Sequence, residues 1–104
     1  MTHDPSSPSA EERLYLALNS IPHGQVIAYG ELAALAGLPG RARWVGRTLS
    51  QLPEDTQLPW HRVTNAQRRI SLAVNSPAFQ RQRERLISEG WHVSPEGKIT
   101  ALTQ

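Results

Sequence analysis

Apolar and polar positions along this chain change period several times, and each change marks a predicted element. After a Ser/Pro-rich stretch over residues 1–8, expected to be a disordered lead, Ser9-Ala10-Glu11-Glu12 has the form of a capping box. Leu14, Leu18 and Ile21 then recur at helical spacing, predicting a helix to about Ser20 that Pro22-His23-Gly24 stops. Val26-Ile27-Ala28 reads as a short extended piece. A second helix is predicted over 31–36, ended by Gly37 with Pro39 after it, and a third over about 40–52. In the third, Ala42, Val45 and Leu49 form an inward stripe, while Arg43, Arg47 and Ser50 share another face. Two helices joined by Gly37-Leu38-Pro39-Gly40 make a helix-turn-helix whose second helix carries the arginines.

Beyond Pro53 the pattern turns irregular. Residues 53–61 read as a loop, and Arg62-Val63-Thr64 with Arg68-Arg69-Ile70 read as a short hairpin, or wing, around 65–67. A last helix is predicted over 77–89, with Phe79, Leu86 and Ile87 inward, Arg81, Glu84 and Arg85 outward, and Gly90 as its cap. Trp91-His92-Val93 and Lys98-Ile99-Thr100 form a closing hairpin over 94–97. The expected fold is a mainly α winged helix-turn-helix DNA-binding domain with short β-hairpins, one domain over residues 9–104.

Charge sharpens that picture. The net charge is only +2, but residues 1–39 carry −3 and residues 40–70 carry +4. Ten of the eleven basic residues are Arg, whose forked guanidinium suits phosphates and guanine edges, so a localised polyanion site is expected in the middle of the chain. There is no Cys, which excludes disulfides, thiolate metal sites and a thiol nucleophile. The four His (His3, His23, His61, His92) lack metal-ligand spacing, and neither a Gly-rich phosphate loop nor a Gly-x-Ser-x-Gly elbow occurs; no metal or cofactor is expected. With no apolar run near the roughly 20 residues of a membrane span and no secretory leader, the expectation is a soluble, cytoplasmic monomer without membrane partners, nucleoid-associated when bound to DNA.

Three segments are more specific than any periodicity: Gly24-Gln25-Val26-Ile27-Ala28-Tyr29-Gly30-Glu31-Leu32-Ala33-Ala34-Leu35-Ala36-Gly37, then Arg43-Trp44-Val45-Gly46, then Pro59-Trp60-His61-Arg62-Val63. In this order and spacing they closely resemble the DNA-binding domain of O6-alkylguanine-DNA alkyltransferases, over about residues 11–91. That family carries Pro-Cys-His-Arg-Val, with Cys accepting the alkyl group; Trp60 stands in its place, as in the non-enzymatic alkyltransferase-like proteins. The resemblance implies binding of O6-alkylguanine in double-stranded DNA by base flipping, with a nucleotide excision repair damage-recognition protein as the implied partner. Chemistry agrees on the negative side: transfer needs an activated nucleophile, and an indole offers no such lone pair. The pattern of helices alone leaves a winged-helix regulator of undamaged DNA as the alternative.

Roles follow from the resemblance residue by residue. Tyr29 matches the tyrosine that drives the target nucleotide out of the stack, and Arg43 the arginine finger that fills the vacated space. Gly46 lets a helix press into the narrow minor groove, with Arg41, Trp44 and Arg47 as further DNA-contacting positions. Trp60, Tyr29, His61, Pro59, Val63, Ser71 and Ala73 form the implied lesion pocket, where the small Ala73 leaves room for bulkier adducts. Glu89 matches a glutamate hydrogen-bonded to the histidine, read here as structural and bracing His61. Leu52 departs from the family's Asn, which leaves the 53–58 loop without that residue's hydrogen bonds.

Overall fold

In the computed structural model, residues 8–102 are described, so all but the last residue of the expected lead lie outside the described residues. The chain runs through α1 (Ala10–Asn19), β1 (Ile27–Ala28), α2 (Tyr29–Leu35), α3 (Ala42–Ser50), a 3-10 turn (Trp60–Arg62), β2 (Val63–Thr64), α4 (Pro77–Ser88), β3 (Trp91–Val93) and β4 (Ile99–Ala101). α1 begins as its sequence dictates: the Ser9 hydroxyl accepts from Glu12 N–H at 3.1 Å and Glu12 Oε1 accepts from Ser9 N–H at 2.9 Å. Leu14, Leu18 and Ile21 are buried, as their spacing predicts. α2 starts two residues before its predicted onset because the Glu31 carboxylate accepts from Ala28 N–H at 3.0 Å, which puts Tyr29 in the first turn.

Two small cores result. One is built from Leu14, Leu18, Leu32, Ala33, Val45 and Val63, with Tyr29, Trp44 and Leu49 packed on its edge. The other gathers Ile70, Phe79, Leu86, Val93 and Ile99 beneath β3 and β4, which pair antiparallel. α2 and α3 pack on one another as the expected helix-turn-helix, with Gly37 at φ +78° ending α2 where a side chain would be strained.

Two expectations are corrected. Ile87 is not inward but 44% exposed; Phe79, Gln82 and Leu86 form the buried stripe, and Ile87 is rotated about 100° from Leu86 around the helix. Nor do residues 62–70 form a self-paired hairpin. Val63 and Thr64 pair in parallel with Ile27 and Ala28. The reversal expected around 65–67 does occur, since the Asn65 side chain accepts from Gln67 and Arg69 N–H at 3.0 and 2.9 Å. The returning limb then leaves for the β3–β4 hairpin, where Ile99 N–H donates to Arg68 O and Ile70 N–H to Gly97 O, both at 2.9 Å. Burial decides this: Ile70 belongs to the second core, Val63 to the first.

Candidate nucleic-acid interface and base pocket

α3 opens with Arg41 as N-cap, no side-chain cap and no acid in its first turn. Its first-turn amides have no side-chain cap and stand beside exposed Arg41 and Arg43, which gathers free donors and positive charge at one place on the surface. One turn on, Arg47 is also exposed. Arg43 and Arg47 line an open groove of about 420 Å³ together with Tyr29, Ala42, Gly46, Ser71 and Leu72. The Tyr29 hydroxyl and Ser71 Oγ are 2.8 Å apart, which ties α2 to the segment after the Asn65 turn. Gly46 faces the Tyr29 ring, and a methyl at its Cβ would sit 3.8 Å from it, an ordinary contact. The fold therefore does not require glycine at this position; the open groove in front of it is what a larger side chain would fill.

A second cavity, of about 150 Å³, shares Tyr29, Gly46 and Leu72 with the groove. Trp60 lines it, with Leu49, Ser50 and Leu52 from the end of α3, Pro53 and Glu54 from the loop, and Ala78, Arg81 and Gln82 from α4. Trp60 is held from several sides. Its backbone N–H donates to Leu58 O at 2.8 Å, the guanidinium of Arg85 lies 5.5 Å from its ring centroid, and the His61 ring meets it edge-on. The Gln82 amide, buried on α4, donates to the carbonyls of His61 and Val63 at 3.1 and 3.0 Å, so α4 fixes the turn that carries Trp60.

Beneath Trp60 lies a charged knot. Glu89 Oε2 is 2.7 Å from both His61 Nε2 and Arg62 Nη2, and Glu89 Oε1 accepts from Arg62 Nε at 3.0 Å and Gly24 N–H at 3.2 Å. Arg62 also donates to Ile21 O at 2.8 Å. Burial by itself would raise the Glu89 carboxyl, but the hydrogen bonds from Arg62, His61 and Gly24 outweigh it and lower its pKa to about 2. Burial pushes His61 below its ordinary value, against the pull of the Glu89 carboxylate. With Glu89 ionised, His61 Nε2 is the donor and Nδ1 carries the lone pair; Nδ1 is buried without a partner among the described residues.

The structure thus brings together only part of the expected pocket. Trp60 and Tyr29 line the cavity, and Ser71 stands at the groove through Tyr29. Pro59 and His61 line a neighbouring polar groove instead, because the 3-10 turn rotates them away from Trp60. Val63 is a core residue of β2, and Ala73 is exposed and lines neither cavity nor groove, its expected place being taken by Leu72. Trp44 is partly buried against the first core and does not line the groove, although it stands one turn before Arg47 on the helix. The loop after Leu52 is braced by Thr56, whose N–H donates to Pro53 O and whose hydroxyl accepts from Leu58 N–H. Residues that sequence reasoning did not place at the cavity include Leu49, Glu54, Leu72, Arg81 and Gln82, and at the knot Arg62. For Arg62 a signal was available, since it sits inside the Pro59–Val63 block; for the rest only the packing of α4 against the turn reveals them.

A winged helix-turn-helix that presents an arginine-lined groove beside a tryptophan-walled cavity defines a class of DNA-binding domain. The model of the family described as 6-O-methylguanine DNA methyltransferase, DNA binding domain, matches residues 9–91, and the chain belongs to that family, within which it is an alkyltransferase-like protein. A DNA base-flipping protein of Vibrio parahaemolyticus is 46% identical over 87 residues, covering 84% of this chain and 85% of its own. Alkyltransferase-like protein 1 of Schizosaccharomyces pombe is 44% identical over 78 residues, 75% of this chain and 72% of its own. The crystal structure of S. pombe Atl1 in complex with damaged DNA containing O6-carboxymethylguanine superposes with a TM-score of 0.76 at 37% identity, covering 88% of this chain and 87% of that one.

Proposed function

We propose that this protein binds O6-alkylguanine in duplex DNA, flips the damaged nucleotide into the cavity beside Trp60, and leaves the lesion chemically intact. The observation that carries this reading is the continuity of the arginine-lined groove with the Trp60 cavity across Tyr29 and Gly46. Phosphates would sit at the start of α3 and along Arg47; Arg43 would enter the duplex and occupy the space the base vacates; Tyr29 would crowd the flipped nucleotide's phosphate. Similarity to a DNA base-flipping protein and to S. pombe Atl1 bound to damaged DNA supports the same reading. Transfer of the alkyl group has no acceptor: the chain lacks Cys, and Trp60 occupies the position the resemblance gives to the nucleophile. His61 keeps a lone pair on Nδ1 yet has nothing to activate. A protein that holds a lesion without removing it must pass it on, so the proposal includes a damage-recognition protein of nucleotide excision repair as the partner that receives the flagged site.

The test is fluorescence-anisotropy titration of a duplex with one O6-methylguanine against its undamaged twin at fixed salt. A preference of about tenfold or more, roughly 1.4 kcal/mol, is expected, with no alkyl adduct on the protein by mass spectrometry. Equal binding to the two duplexes, or an adduct, would overturn the proposal.

A further inference from the structure

Among the residues lining the Trp60 cavity, two are charged, Arg81 from α4 and Glu54 from the loop. Leu49, Leu52, Pro53, Leu72 and Ala78 make an apolar wall fit for an alkyl group, yet Arg81 projects into the same lining from α4. Its ion-pair partner among the described residues, Glu54 Oε1, is 4.0 Å away on a side chain that is 87% exposed, so the pairing is weak and the guanidinium keeps most of its capacity to donate. One turn along α4, Arg85 adds a second positive charge over the Trp60 ring. The resemblance puts Trp60 where the alkyl acceptor stands, so the O6 substituent of a flipped guanine is directed toward this ring and whatever lies beyond it.

We propose that Arg81 forms an anion subsite in the wall of the base pocket, selecting O6 adducts whose outer end carries a carboxylate. This inference rests on the lesion-binding reading above. A methyl or ethyl group would be accommodated by the apolar lining alone. An adduct ending in a carboxylate would meet the forked Arg81 donors in a partly dehydrated cavity, where charge-assisted hydrogen bonds are stronger than in water. Glu54 at the mouth competes for the same guanidinium and repels the incoming anion, so it limits the preference. Selection would thus be set by one cation on α4 and one acid on the loop facing it.

The experiment compares four otherwise identical duplexes at one ionic strength, carrying guanine, O6-methylguanine, O6-carboxymethylguanine or its neutral carbamoylmethyl counterpart. Wild-type protein is expected to bind the carboxymethyl duplex about fivefold tighter than the carbamoylmethyl one, about 1 kcal/mol. Arg81→Gln should abolish that difference, read as the ratio of the carboxymethyl and carbamoylmethyl affinities, and Glu54→Gln should widen it. If O6-methylguanine is preferred over guanine but the two larger adducts bind equally, the anion subsite is overturned and lesion recognition stands. If the carboxymethyl preference survives in Arg81→Gln, Arg81 is not the selecting group. Loss of any O6-methylguanine preference in the wild type would overturn the lesion reading itself.

Discussion

Trp60 and Gly46 both line the cavity, and in the proposed complex they would serve different parts of the interaction. Stacking of an aromatic ring on a base is worth about 1–3 kcal/mol, so Trp60→Ala should weaken binding to O6-methylguanine DNA by about tenfold while leaving undamaged DNA nearly unaffected. Anisotropy titration of both duplexes checks this, with a thermal melt to confirm that the half-buried ring was not needed for folding. Gly46 gives a cleaner separation of fold from function. A Cβ there meets only the Tyr29 ring at ordinary contact distance, and Ala in a helix interior is favoured over Gly by about 0.5–1 kcal/mol. Gly46→Ala should therefore raise Tm by roughly 4 °C. Gly46→Leu, projecting into the open groove, should fold as well yet lose most DNA affinity at any sequence. Unchanged DNA binding by the leucine variant would remove α3 from the interface.

At the scale of elements, the β3–β4 turn shows how strictly a short connection can be constrained. Gly97 sits at φ +96°, and a Cβ added to it would lie 2.9 Å from Phe79 Cε2 and 3.3 Å from Ile70 Cβ. Neither neighbour can yield easily, because Phe79 is fully buried and Ile70 is anchored through Gly97 O. Gly97→Ala should thus cost about 2–4 kcal/mol from left-handed strain plus overpacking, read as a fall in Tm or in the urea midpoint. For α3 the element-level expectation is electrostatic. In the proposed complex its uncapped N-terminus and exposed arginines would contact phosphates and release counterions, so replacing Arg47 by Ala should lower the slope of log K against log salt by about one. A slope unchanged by that replacement would place Arg47 away from the phosphates.

Across the whole molecule, the Glu89–Arg62–His61 knot joins the two cores. Glu89 at the end of α4 reaches Arg62 and His61 on the 3-10 turn and Gly24 before β1, while Arg62 reaches the end of α1. The pH dependence follows from the shifts. Glu89, near 4.5 when unfolded and about 2 when folded, contributes roughly 3 kcal/mol that is fully present above pH 5 and lost as pH falls toward 2. His61 is lowered in the fold, so the unfolded state takes up its proton first and stability begins to decline once pH drops below about 6.5. Both effects run the same way. Chemical denaturation from pH 8 to 3 should show constant stability at the alkaline end, a shallow loss below 6.5 and a steep one below 5. Glu89→Gln should be several kcal/mol less stable at pH 7, having left Arg62 without its carboxylate, and should lack the steep acid limb.

How much of this was legible in the chain differs with scale. The capping box of α1, the Leu14/Leu18/Ile21 stripe, the turn at Gly37 and the helix of arginines all depend on neighbours within a few residues, and sequence spacing reports such neighbours directly. The absence of Cys likewise needed no structure to exclude alkyl transfer to a thiol of this chain. Tertiary structure alone decided that Val63–Thr64 pairs with Ile27–Ala28 rather than with the limb that follows it, because the competing partners are distant in sequence and burial of Ile70 and Val63 in different cores chooses between them. It also decided which members of a motif face the cavity. Pro59, Trp60, His61 and Val63 are consecutive or nearly so, yet a 3-10 turn held by Gln82 sends Trp60 into the cavity, His61 to Glu89 and Val63 to the core. The sequence by itself determined the helices and the absence of a thiol; strand pairing and side-chain direction around the pocket, and with it the presence of Arg81 in its wall, were settled only when α4 packed across the turn.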